Sequence, residues 1–247
     1  MRRHRRGMMT SPLPWLGQLT LWDAAAFLYL VAMLWGVGWS VRHHPNGWRS
    51  AGEMASAYRL LWMRRAARRD VRVTDITLLG ILRTGSSFMA SMTILALGGA
   101  VALLGQFDLL ESLAMEIGGG FDAPRSAQQA KLLCLIAILV YAFLKFIWSV
   151  RVFGYCAVVM GAMPGDQPAD TEEEIEREAA RAAELSRIAA RNFNEGLRSV
   201  YGALAMLAWF LGPLWLFLAT TLTGAVLLRR EFASETRAAL RFGAFRS

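Results

Sequence analysis

"LLCLIAILVYAFLKFIWSVRVFGYCAVVMGAM", residues 132–163, decides the fold. As a helix it is about 48 Å long, well beyond the roughly 30 Å that a hydrocarbon core requires. Only Lys145 and Arg151 interrupt its apolar character. The stretch therefore predicts a membrane span over about 132–151 that continues as a helix to 163. Entering at Lys131, the helix carries Arg151 to the far edge of the core and Lys145 one and a half turns short of it. From there Lys145 snorkels along its four-carbon stem beside Tyr141, Trp148 and Tyr155. Asp23, at the start of another span, belongs to the opposite membrane face and is not expected to pair with Lys145.

Outward from this stretch the composition agrees. The chain has 247 residues, 55% of them hydrophobic and 19% charged, too apolar to cover a soluble surface. Three further apolar runs, at about 21–41, 86–104 and 200–228, complete an all-α integral membrane protein. Four transmembrane helices are accompanied by interfacial and cytoplasmic helices. Residues 1–20 read as an N-terminal tail, 21–240 as a single membrane domain and 241–247 as a C-terminal tail. "MRRHRRGMMT" is basic like the start of a signal peptide, but the following run is span-length and lacks a cleavage site. Met8 and Met9 offer alternative starts. Small residues in the second run, Ser87, Ser91, Gly98 and Ala102, make a packing face. Gly212-Pro213 predicts a kink in the fourth, because proline removes a helix donor and clashes with the preceding turn.

The connecting segments differ in chemistry. "EMASAYRLLWMRRAARR", residues 53–69, reads as an interfacial helix with Met54, Tyr58, Leu61 and Trp62 on one side and arginines on the other. "FDLLESLAMEIGGGFDAPRSAQQAK", residues 107–131, is acidic and glycine-rich. "TEEEIEREAARAAELSRIAARN", from Thr171, opens on a capping box with Glu174 and reads as a mainly solvated charged helix. Four spans put both termini on one side. The basic count is then eleven against fourteen, or seven against fourteen from Met8 or Met9, which favours both termini outside.

The formal net charge of +8 is nearly all arginine. Basic segments beside spans meet anionic headgroups before nucleic acid, and no nucleic-acid motif is present. Cys134 and Cys156, about 33 Å apart on one helix, cannot bridge. His43 and His44 have no third ligand at metal spacing. No phosphate loop, nucleophile elbow or His-Glu motif points to catalysis, and Asp75 and Glu195 are isolated carboxylates. No catalytic residue, metal or cofactor is assigned. Each span ends in an arginine on the same expected side: Arg42, Arg83, Arg151 and Arg198. Arg191, Asn194, Arg198 and Tyr201 share a helix face there. Such a layer suits an anionic lipid or ligand, since guanidinium groups meet phosphate in bidentate fashion. The simpler account is that these arginines anchor the helices at the interface.

"LLWMRRAARRDVRVTDITLLGILRTGSSFMASMTIL", "YAFLKFIWSVRVFGYCAVVMGAMP" and "RNFNEGLRSVYGALAMLAWFLGPLWLFLATTLTGAVLLRREF" resemble the multi-pass membrane proteins of bacteria and plants grouped as domain of unknown function 599. The resemblance covers roughly residues 20–240. By it, Arg83, Trp148, Arg151, Asn192, Phe193, Asn194, Gly196, Leu197, Arg198, Tyr201, Pro213, Arg229, Arg230, Glu231 and Phe232 occupy motif positions. Lys145 and Gly154-Tyr155 depart from the pattern. It implies an architecture and no activity. The expectation is a non-enzymatic component of the bacterial inner membrane, its partners the lipid bilayer, anionic lipid and other subunits of a homo- or hetero-oligomer. The alternative is a small transporter or oligomeric channel with a path along the kinked fourth helix.

Overall fold

The computed structural model describes residues 19–43, 50–106, 124–163 and 171–243, with Ser112 besides. The tails, His44, the glycine-rich part of 107–123 and the side chain of Arg42 lie outside what it describes. Regular structure among the described residues is entirely helical: α1 (Leu21–Arg42), α2 (Ala51–Ala67), α3 (Val73–Gly105), α4 (Arg125–Ala162), α5 (Glu172–Leu207), a 3-10 turn (Ala208–Leu211), α6 (Pro213–Phe232) and α7 (Glu235–Gly243). Three of them, α1, α3 and α4, are long and apolar enough to cross a membrane. They are apolar all round and largely exposed, the pattern of helices that face lipid rather than water.

Local sequence sets the helix ends. Thr20 and Asp23 form a capping box at α1, and Thr171 and Glu174 another at α5. Hydrogen bonds from the Thr171 backbone and hydroxyl hold the Glu174 carboxyl below its ordinary range. Ser50 caps α2 by accepting from the Glu53 amide.

α4 is central, packed between α3 and α5. Alanines at 179, 182, 183 and 189 bring α5 close to α4, and with Met63, Phe153 and Met160 they form the core at one end of the molecule. This corrects the reading of α5 as a mainly solvated element: one face of it is core. It also corrects the expected apolar face of α2, of which Met54 is buried but Leu61 is exposed. The buried face of α2 is Met54, Met63, Ala66 and Ala67, and Arg64 and Arg68 pair with Glu176 and Glu172 of α5. Ser149 accepts or donates across 3.2 Å to Ser86 and donates to the Ala189 carbonyl at 2.9 Å, joining α3, α4 and α5.

The fourth run differs from the expected single kinked span. α5 ends at Leu207, Gly212 adopts φ +127°, and α6 starts at Pro213 and runs back. Arg230 donates to the Tyr201 hydroxyl at 2.7 Å, a contact that one continuous helix would hold about 43 Å apart. The sequence Gly-Pro serves here as a reversal: glycine accepts the positive φ, and proline is preorganised for the first helical position. Consequently α6 runs beside α1 in the same direction, with Thr221 3.2 Å from Tyr29. The start of α1 and the end of α6 lie at opposite ends of the bundle, not at one end as expected.

Candidate functional site

A buried clasp holds the hairpin tip. Trp209 donates to Asp23 Oδ1 at 2.7 Å, Lys131 Nζ lies 3.3 Å from the same oxygen and donates to the Trp209 carbonyl at 3.1 Å. Phe27 stacks on the Trp209 ring at 5.4 Å. Three helix ends are thereby fixed to one another. The arrangement is closed and satisfied, hence structural.

At the other end of α1 the chemistry is open. α1 and α4 scarcely touch, and α5 floors a groove of about 740 Å³ between them. A second cavity, of about 830 Å³, lies among α2, α3, α5 and the end of α1. Gly38, Arg191, Glu195 and Arg198 line both, so the two cavities meet at one charged station. Gly38 matters by what it lacks: a Cβ there would stand 3.6 Å from the Arg198 guanidinium.

Lys145 enters this station from α4. It does not simply snorkel as expected: Nζ pairs with Glu195 Oε2 at 2.6 Å, lies 3.5 Å from Asn192 Oδ1 and sits 5.3 Å above the Tyr141 ring. Asn192 is fixed in turn by donating to the Ile188 carbonyl at 2.9 Å. From α2, Arg59 lines the second cavity with its Nε buried and without a hydrogen-bond partner. Burial pulls its pKa below the ordinary arginine value. Arg187, also on that wall, is held by Glu184 at 2.7 Å, an interaction that raises the arginine's pKa and lowers the glutamate's. The wall carries four arginines against Glu53 and Glu195, and the amino end of α2 at Ser50 and Gly52 adds its partial positive charge. It is an anion-attracting surface with one buried, unmatched donor.

Of the residues singled out from sequence, Arg191, Asn194, Arg198 and Lys145 converge here. Arg83 and Arg151 do not. Both are exposed, and Arg151 donates to Tyr155 at 2.8 Å. Nor do they share a depth with Arg198: Ser149 meets Ala189, so Arg151 lies at least about 13 Å further along α5. The expected single layer is a staircase along the bundle, because Arg151 and Arg198 sit at different heights on the paired helices α4 and α5. Tyr201 faces Arg230 instead of the cavities. Asp75, bonded by Trp62 and Arg69, stays apart from Glu195. Arg59 and Arg187 were not singled out from sequence, since nothing there turns α2 onto α5.

A family model described as "Protein of unknown function, DUF599" matches residues 24–236, while no curated protein and no solved structure matches.

Proposed function

Because this chain belongs to the DUF599 family of proteins of unknown function, we propose its function from its own geometry: a non-enzymatic component of the bacterial inner membrane that holds a phosphate-bearing anion at Arg191, Arg198 and Arg59. The observation that carries this is the shared station, where two cavities meet on guanidinium groups and one buried Arg59 donor is unmatched. Guanidinium donors in a partly dry site suit a bidentate oxyanion such as phosphate better than a spherical chloride.

The membrane placement has its own support. α1, α3, α4, the second half of α5 and α6 make five crossings. With connections assigned by the helix ends they join, segments 1–20 and 106–131 carry six Lys and Arg. Segments 42–83, 152–198 and 229–247 carry nineteen. The near tie of a four-span reading becomes a threefold excess, which supports a cytoplasmic station. Fusions of alkaline phosphatase ahead of Thr20 and of green fluorescent protein after Phe232 should report outside and inside respectively. An inactive phosphatase fusion or a dark fluorescent-protein fusion, with the protein itself expressed, would overturn the five-crossing arrangement.

Binding is tested with the purified protein in detergent, by native mass spectrometry with phosphatidylglycerol and with glycerol phosphate as probes. A charge-assisted hydrogen bond is worth about 1.5–3 kcal/mol, so Arg198→Gln and Arg191→Gln should each weaken retention of both probes about tenfold or more. Retention equal to wild type in both variants would refute the reading. The transporter alternative loses its motive, because the Gly-Pro pair turns the chain and leaves no kinked path through one helix.

A further inference from the structure

The groove between α1 and α4 is polarised along its length. Its walls are Phe27, Val31 and Trp35 on one side and Ala137 and Ile138 on the other, and charge enters only at the Lys145 end. On α1 the run from Phe27 to Gly38 rises about 16 Å, and on α4 the run from Cys134 to Lys145 rises the same distance, roughly half a 30 Å hydrocarbon core. Val31 and Trp35 are 44% and 68% exposed, so the groove opens sideways toward the surroundings of the bundle. At its charged end it joins the second cavity through Arg191 and Arg198.

We infer that the occupant is a membrane phospholipid, with one acyl chain lying in the α1–α4 groove and its phosphate at Arg191 and Arg198, and not a soluble anion. The inference rests on the anion reading above and adds the identity of the ligand. Gly38 stands about one turn below the end of α1, so the guanidinium end lies beneath the membrane surface. Any phosphate sheds water to arrive there, at a cost of several kcal/mol for an ion leaving water, but only a lipid phosphate brings a chain that fits the laterally open apolar groove leading to the same guanidinium groups. The chain fills apolar space that water would otherwise occupy unfavourably, since the Phe27 half of the groove offers no polar side chain. Glu195, paired with Lys145, occupies the boundary between chain and headgroup and keeps the cation neutralised when the groove is empty.

The test uses the whole chain in nanodiscs containing phosphatidylglycerol with a photoactivatable diazirine in its acyl chain, followed by peptide mapping. Cross-links should concentrate on 27–35 and 134–141 at least about tenfold over the equally apolar outer face of α3 near Phe88 and Leu95, the factor expected from about 1.4 kcal/mol of site preference. Ala137→Phe, which fills the groove, should remove that enrichment and phosphatidylglycerol retention while leaving glycerol phosphate binding intact. Arg198→Gln should remove both. Uniform cross-linking across wild-type α1, α3 and α4 overturns the inference. So does glycerol phosphate retained as tightly as the lipid. Loss of neither probe in Arg198→Gln overturns the underlying anion reading instead. Should Ala137→Phe not fold, the wild-type cross-link map decides alone.

Discussion

Asp23→Leu or Lys131→Met should each lower the stability of the detergent-solubilised protein by about 3–5 kcal/mol, because each leaves a buried charge without its counter-charge. The side chains of Lys131 and Asp23 are 2% and 6% exposed, and Trp209, which donates to the same carboxylate oxygen, is 1% exposed. Little of either group is open to water that could replace a lost partner. The double variant Asp23→Leu/Lys131→Met removes both charges and keeps volume, so it should be markedly more stable than the sum of the singles predicts. Thermal midpoints by intrinsic tryptophan fluorescence give all three values. Single-variant costs below about 1 kcal/mol, the range of an exposed pair, would show that the clasp is not dry. The consequence reaches the far end of the molecule. The clasp fixes where α5 turns into α6, and α5 carries Arg191, Glu195 and Arg198 at a set height against Lys145.

What the sequence disclosed follows from what kind of pattern each element carries. α1, α3 and α4 were legible because a span-length apolar run with no polar stripe has few other structural solutions. The hairpin was not, because α5 and α6 share a single apolar run across 200–228, and Gly-Pro signals a kink and a reversal alike. The half of α5 that leads into the hairpin carries Asn192, Gly196, Ser199 and Gly202, small or polar residues that lower its hydropathy, and two of them, Gly196 and Gly202, lie against Phe146 of α4 and Leu34 of α1. Asp23 and Lys131 sit at starts of spans expected to share a face, a legible hint of their pairing that single-helix reading passes over. The arginine station was half legible. Arg191 and Arg198 stand seven apart on one helix face, whereas Arg59 joins them only through the packing of α2 on α5, a tertiary contact of Met63, Ala66 and Ala67 with the alanine face of α5.

Gly196→Ala should destabilise the protein although alanine is the better helix former by about 1 kcal/mol. A Cβ at 196 would lie 2.9 Å from Phe146 Cε1 and 3.0 Å from its Cζ. The ring cannot move aside: Phe146 is fully buried and packs edge-on against Phe193 at 5.6 Å. Overpacking a filled site costs about 1–3 kcal/mol, so the steric loss exceeds the propensity gain, and α5 must shift away from α4. The shift would also stretch the neighbouring Lys145–Glu195 pair, because Glu195 and Lys145 adjoin the two colliding residues in sequence. Gly154→Ala on α4 is the control, since a Cβ there meets nothing within 4 Å; it should be neutral or stabilising. Phe146→Leu makes room at the cost of buried area, and in that background Gly196→Ala should lose its penalty. Denaturation midpoints for Gly196→Ala and Gly154→Ala that move together, with no rescue by Phe146→Leu, would mean that the α4–α5 contact is not close-packed. The helix face that presents the arginines would then lack the rigid backing its geometry requires.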